Sequence, residues 1–385
     1  MHNKMSAVAA PLRVGIVGCG NISSNHLQAY AEVDGAEVIG VCDVDIARAR
    51  MTATNWNIEH AVDSVEALLA LDLEMISICT PHPTHEAVAI AAAAAGVHVL
   101  CEKPIAVDIA SAQRMVDACA AAGVKLGVLF QRRFWPAAQQ LRSLIDDGTL
   151  GEPKLGHVAV QLYRAPEYYA ADAWRGTWDA DGGGVLMTQA IHYLDLLQWY
   201  MGPVAQVYGR INTYKHGDNI DVEDSATAVL QFSSGAMATV NATTATDPGL
   251  GVQIRLTGST GATAELTEFP EGTDGRLTIR TVEDRIDATL GHPADQYPNI
   301  DLAQINGGLI AHHQAQIVQF VEAVRDDRAP AVTGTDATNA LRILLAIYHS
   351  AQTNKPVDFA PLPAAPQVPD EMLDRLDIAA TPLAR

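Results

Sequence analysis

Three groups of residues in this chain have the types and spacing that could carry chemistry. The first is Cys101-Glu102-Lys103-Pro104, which sets a carboxylate and an amine directly behind a short apolar run, residues 97–100. Pro104 fixes its own φ and biases Lys103 toward an extended backbone, so the amine leaves the run in a defined direction. Burial beside positive charge would lower the pKa of such a lysine and let it take a proton; in isolation it reads rather as a solvated lysine in a strand-to-helix loop. The second group is Thr188, His192 and Asp195, spaced by four and three, so that a helix would set them on one polar face. Histidine, with an intrinsic pKa of about 6.5, is the simpler base, although a lone helical histidine is commonly just a satisfied side chain. The third group is Gly18-Cys19-Gly20-Asn21-Ile22-Ser23, followed by Asp43. Its glycines permit a tight turn and the close approach of a pyrophosphate to a helix N-terminus. Asp43, roughly 20 residues on, would accept hydrogen bonds from ribose hydroxyls.

The elements that must position these groups come from an alternation of short apolar runs with helical patterns. Residues 13–17, 37–42, 75–79, 97–100 and 125–130 read as strands, with helices over 21–31, 45–55, 64–71, 84–95 and 108–122. Near-continuous apolar strands joined by helices imply a parallel sheet covered on both faces. The glycine turn follows the first strand and opens the first helix, and Asp43 ends the second strand, which is the context a dinucleotide fingerprint requires. Ser23 takes the last, small-residue place of the pattern. Glu102 and Lys103 leave the carboxyl edge of the same sheet, where ligands bind. Asp43 would repel a 2′-phosphate, Val44 and Asp45 offer no arginine to hold one, and Arg48 lies a helical turn away, so NAD is favoured over NADP. A role for Asp43 as helix N-cap is compatible with this. The two histidines of Thr80-Pro81-His82-Pro83-Thr84-His85 lack a third ligand at a recognisable spacing; capping and lining of the cofactor cleft fit them better than a metal.

In the second half, residues 155–164 alternate as a strand, and further strands read over 204–214, 226–232, 236–244, 252–258, 263–267 and 276–281. The separators Ser233-Ser234-Gly235, Gly258-Ser259-Thr260-Gly261 and Thr273-Asp274-Gly275 are hairpin turns, so this sheet is mainly antiparallel. Residues 226–230 are small or apolar on both faces. A sheet with one face on helices and the other semi-apolar predicts contact with a second subunit. Residues 185–201 carry a helical apolar stripe stopped by Gly202-Pro203, and later helices span 307–324 and 335–353.

The order strand, glycine turn and aspartate, then Thr-Pro-x-x-x-His, then Cys-Glu-Lys-Pro, continued by Gly182-Gly183-Gly184 and Ile191-His192-Tyr193-Leu194-Asp195, resembles the glucose–fructose oxidoreductase/inositol dehydrogenase/MocA (Gfo/Idh/MocA) family over most of the chain. The resemblance implies a Rossmann domain, then an α/β domain with a large open sheet, and NAD(P)-dependent oxidation or reduction of a sugar or polyol. It implies Lys103 and His192 as the catalytic pair. By the same resemblance the cofactor would meet Gly18, Cys19, Gly20, Asn21, Ile22, Asp43, Thr80, Pro81, His82, His85, Glu102, Lys103, Gln131, Trp174 and Arg175. Substrate contacts would come from Tyr163, Arg175, Thr188, Asp195 and His313, with packed loops and surface histidines as the plainer readings of Trp174, Arg175, His312 and His313. Inositol-dehydrogenase-like members carry aspartate where this chain has Thr188, and a threonine cannot steady an imidazolium with negative charge. The segment 187–192 looks closer to members that oxidise C3 of glycosides or of UDP-N-acetylglucosaminuronate. Inositol or polyol oxidation, reduction with NADPH, and a non-catalytic NAD-dependent sensor or repressor are the competing readings.

The 385 residues are 48% hydrophobic and 18% charged, enough for two domains with proper cores. We expect a Rossmann domain over 11–132, a substrate and oligomerisation domain over 133–360 whose final helix packs back on the first domain, and a Pro/Ala-rich tail over 361–385. A formal net charge of −20 argues against nucleic acid or an anionic membrane as partner. The five cysteines show no CxxC pairing and suit a reduced cytoplasmic protein, and no stretch reads as a signal or membrane span. The expected partners are a carbohydrate substrate and further copies of the chain, as a homodimer or homotetramer through the open sheet.

Overall fold

The computed structural model describes residues 10–172, 174–281 and 302–362. The first part of the chain runs β1 (Leu12–Val17), α1 (Asn21–Ala31), β2 (Ala36–Cys42), α2 (Ile46–Trp56), β3 (His60–Val62), α3 (Val65–Leu69), β4 (Met75–Ile78), α4 (His85–Ala94), β5 (His98–Cys101), α5 (Ile109–Ala122) and β6 (Leu126–Val128). Its strands form one six-stranded sheet in the order β3-β2-β1-β4-β5-β6, parallel throughout. The order reverses between β1 and β4, and the crevice at that point is where an open parallel sheet binds ligand. Local chemistry fixes the helix starts: Asp45 caps α2 by accepting from the Ala47 and Arg48 N–H groups, Ser64 caps α3 and Asp108 caps α5. The short edge strand β3 has too few residues to show a period and escapes sequence reading.

The chain continues through α6 (Pro136–Asp146), β7 (Pro153–Gln161), α7 (Pro166–Ala170), α8 (Ile191–Met201), β8 (Val204–Asn212), β9 (Ser225–Phe232), β10 (Met237–Thr243), β11 (Gly251–Gly258), β12 (Thr263–Glu268), β13 (Arg276–Arg280), α9 (Leu302–Arg325), α10 (Gly334–Thr353) and β14 (Val357–Asp358). The second sheet has eight strands in the order β13-β12-β11-β7-β10-β9-β8-β14. All its pairings are antiparallel except β7 with β10. One face packs on helices; the other leaves Leu155, Val229 and Met237 about half exposed (52%, 51% and 49%).

Two late helices tie the sheets together. Helix α9 packs on α1 and on the 3₁₀ turn Gln131–Phe134, while α10 packs on β8, α8 and α5. Gly127 of β6 lies where a Cβ would come within 2.7 Å of the Phe320 ring of α9, so only glycine allows that approach. A capping box between Thr333 and Asp336 starts α10. Among the described residues no helix is long and apolar enough to cross a membrane. The tail expected over 361–385 lies, from residue 363 on, outside the described residues, as do residues 1–9.

Candidate active site

A single cleft of about 2120 Å³ runs from the β1–α1 turn, along the carboxyl ends of β4 and β5, to the loops before α8. At its first end Gly18 sits at φ +92, and a Cβ there would come within 2.7 Å of the Cys79 carbonyl of the neighbouring strand. The position beside Gly20 opens on empty space, and α1 starts with no side-chain cap and no acidic residue in its first turn. The partial positive charge of that helix end therefore faces the cleft. The buried Asp43 carboxylate accepts the Cys19 and Asp45 N–H groups, both at 2.9 Å. Capping of α2 falls to Asp45 and leaves Asp43 to the cleft. Arg48, which chain distance set apart, is brought to 3.5 Å from Asp43 by the first turn of α2. An uncapped helix end, a turn closed to a side chain at Gly18 and open to the cleft at Gly20, and an inward carboxylate together fit a dinucleotide's pyrophosphate and ribose.

At the other end Glu102 and Lys103 leave β5. Burial alone would push Glu102 up, yet the hydrogen bond to His26 and the nearby His313 ring outweigh it and hold the carboxyl well below the usual range. Its Oε1 lies 3.1 Å from His26 Nε2 and 3.7 Å from His313 Nε2, and its Oε2 accepts the Lys103 N–H at 3.1 Å. The Lys103 Nζ donates to the Thr188 carbonyl at 3.0 Å. Burial lowers its pKa from the ordinary 10.5, a pull that Glu102 opposes and Arg132 reinforces. His192 is buried against the edge of the Phe130 ring, 5.7 Å between centroids. Burial, then Arg132 and Lys103, drive its pKa well below 6.5. Its Nδ1 is buried with no hydrogen-bond partner among the described residues, and contact with a ligand falls to Nε2.

Two expected contacts do not reach the cleft. Asp195 is fully buried and bonded in bidentate fashion to Arg133, at 2.7 and 2.6 Å. The reason is a turn of π-helix over Leu186–Ala190 ahead of α8, which breaks the α-helical phase that would have set Thr188 and Asp195 on one face. His85 is fully buried behind the cleft wall, its nitrogens 2.9 Å from the Thr80 carbonyl and 3.0 Å from the Pro104 carbonyl. There it pins the Thr80 turn to the segment after Lys103. His82 does line the cleft and donates from Nδ1 to the Asp181 carbonyl at 2.9 Å; burial drives its pKa down to about 3. Among the described residues no group of three His, Cys, Asp or Glu side chains could hold a metal ion. The other expected residues border the cleft.

Sequence reading missed several cleft residues. Arg132 follows β6 at the same sheet edge, which was a usable signal, and its guanidinium lies 4.9 Å from the Tyr193 ring centre. Arg164 pairs with Glu271 at 2.6 Å, 107 residues away. The missed Tyr168 accepts at its hydroxyl from the expected Arg175 at 2.9 Å, and that guanidinium stacks over its ring at 4.5 Å. Gln189 donates to the same hydroxyl at 3.2 Å. No local pattern announces the Arg164–Glu271 pair or Tyr168.

The profile described as "Oxidoreductase family, NAD-binding Rossmann fold" matches residues 12–130, and that described as "GFO/IDH/MocA C-terminal domain" matches residues 138–264. D-apiose dehydrogenase of Paraburkholderia graminis is 29% identical over 92% of this chain and 91% of its own length. Myo-inositol 2-dehydrogenase of Thermotoga maritima is 26% identical over 90% and 98%. The crystal structure of the WlbA dehydrogenase from Bordetella pertussis in complex with NADH and UDP-GlcNAcA is 31% identical and matches 92% of this chain and 100% of that one with a TM-score of 0.76.

Proposed function

The chain belongs to the Gfo/Idh/MocA family and is an NAD-binding dehydrogenase of CH–OH groups, and on that premise we propose that it oxidises a secondary hydroxyl, at C3, of a glycoside or nucleotide sugar. The observation that carries the reading is the Lys103–Thr188 hydrogen bond, which joins the lysine of the first sheet to the helix that bears His192 at one end of the dinucleotide cleft. NAD, when held by the glycine turn and Asp43, would supply the hydride acceptor. Lys103 then takes the hydroxyl proton as the C–H bond breaks. Burial lowers its pKa and so favours the neutral, proton-accepting amine, whereas burial, then Arg132 and Lys103, outweigh Glu102 at His192 and disfavour the imidazolium that a base must become. His192, neutral, hydrogen-bonds the same hydroxyl through Nε2 and orients it.

Support for a sugar larger than inositol comes from the cleft. Its volume of about 2120 Å³ exceeds what a drug-sized ligand fills, roughly 300–1,000 Å³, leaving room beside a dinucleotide. The Thr188 hydroxyl is bonded to the Gly184 carbonyl and to Gln189. A relative at 31% identity was solved with UDP-GlcNAcA. The half-exposed apolar face of the second sheet supports a homodimer or homotetramer, and the five buried free cysteines suit the cytoplasm. The test is appearance of reduced nicotinamide absorbance with NAD or NADP across glycosides, nucleotide sugars, inositols and anhydrosugars. We expect turnover with NAD and a glycoside or nucleotide sugar. Turnover confined to inositols would overturn the substrate class, and silence across the panel with intact NAD binding would favour a sensor.

A further inference from the structure

The start of the helix that presents Thr188 and His192 rests on one residue from another part of the chain. Glu223, in the loop before β9, is 2% exposed. Its Oε2 accepts the Gly184 N–H and its Oε1 the Leu186 N–H, each at 2.9 Å, while its own carbonyl accepts the Val185 N–H at 3.1 Å. Three successive N–H groups at a helix start, which would otherwise lack partners, are thus met by a single residue. Tyr348 of α10 donates to Oε1 at 2.9 Å. Neighbouring side chains leave no slack: a Cβ at Gly183 would strike the Tyr348 hydroxyl, and one at Gly184 would strike the Glu223 carbonyl.

From this anchor a continuous line of hydrogen bonds reaches the lysine. The Gly184 carbonyl accepts from the Thr188 N–H at 3.0 Å and from its hydroxyl at 2.8 Å. The Thr188 carbonyl accepts from Lys103 Nζ at 3.0 Å. Burial pushes the Glu223 carboxyl up to about 7, so the chain keeps an ionisable group where the loss of solvation opposes its charge. A glutamine of the same size would offer one acceptor oxygen for donors that now approach two. We propose that Glu223, braced by Tyr348, is a positioning residue for Lys103, acting through Gly184 and the Thr188 carbonyl. The proposal rests on the dehydrogenase reading, which gives that geometry its use.

The experiment compares the full-length wild type with Glu223→Gln and with the milder Tyr348→Phe. Each protein is treated with an amine-acetylating reagent, and acetylation of Lys103 is quantified by peptide mass spectrometry against the surface Lys154, whose side chain is 44% exposed. Released from the Thr188 carbonyl, Lys103 should be modified about ten-fold faster relative to Lys154 in Glu223→Gln, and by a smaller factor in Tyr348→Phe. With substrate, kcat should fall about ten-fold or more while KM and the NAD dissociation constant stay within about two-fold. An unchanged Lys103-to-Lys154 ratio in both variants overturns the proposal. So does a loss of NAD affinity and melting temperature in step with activity, which marks a purely structural cap. Acetylation needs no turnover. A shift in the ratio with no dehydrogenation in the wild type therefore sinks the functional reading and leaves the positioning link standing.

Discussion

Replacing Asp43 by alanine tests the cofactor end of the cleft most directly. Each carboxylate oxygen already receives one backbone N–H, from Cys19 and Asp45, so about half of its roughly four acceptor positions remain for the ribose diol. A hydrogen bond to a charged group contributes about 1.5–3 kcal/mol. Two such bonds, taken at the low end because Arg48 already lies 3.5 Å away, amount to about 3 kcal/mol, a loss of NAD affinity of ~150-fold. NADP should move the other way. A unit charge on a 2′-phosphate about 4 Å from the carboxylate is opposed by about 4 kcal/mol at an effective dielectric of ~20. The Asp43→Ala change removes that opposition and frees the Arg48 guanidinium to meet the phosphate. Isothermal titration with both cofactors should show the NAD/NADP preference falling by about three orders of magnitude or more. Asp43→Asn, which keeps one acceptor oxygen for the turn, controls for a loosened glycine loop and should lose less. NAD affinity within a few-fold of wild type in a folded Asp43→Ala protein would refute the placement of the ribose.

Other changes probe the rest of the site. In Lys103→Met, kcat should fall about 10²–10⁴-fold with NAD affinity within a few-fold. Because burial sets the Lys103 pKa below 10.5 and the neutral amine is the proposed base, wild-type kcat/KM should rise with pH through a midpoint below that value. A rising limb that survives in Lys103→Met would reassign the base. Asp195→Ala strands the buried Arg133 guanidinium, which lies beside the Trp199 ring and whose remaining ion-pair partner among the described residues is Asp336 at 3.8 Å. Stability measured by urea melts should drop by about 3 kcal/mol or more while kcat per folded molecule holds within about three-fold; the reverse pattern would return Asp195 to the substrate site. Val229→Asp, on the open face of the second sheet, should shift the mass seen by light scattering toward the monomer. A wild-type protein that is monomeric at micromolar concentration removes that proposal.

What the sequence showed and what it hid follow from how far each contact reaches along the chain. Gly18, Gly20 and Asp43 are readable because a turn, a helix start and a strand end are local events, and the parallel sheet brings the three together by its own order. The mainly antiparallel second sheet is readable for the same reason, since its turns lie between adjacent strands, whereas the parallel pairing of β7 with β10 is not local and stays hidden. His85 and Asp195 are polar residues on readable helices, and a period predicts the face they occupy but not the carbonyls of Pro104 or the guanidinium of Arg133 that wait there. The π-helical turn compounds this, because a pattern counted at three and four residues assumes the helix it is meant to detect. Lys103 is the intermediate case. Its strand, its glutamate and its proline are adjacent in sequence and aim the side chain, but its acceptor is a main-chain carbonyl 85 residues on, a group that every residue possesses and no side-chain pattern can mark. A carbonyl becomes specific only through what holds it, and at Thr188 the holding is done by Gly184, whose own N–H ends on Glu223.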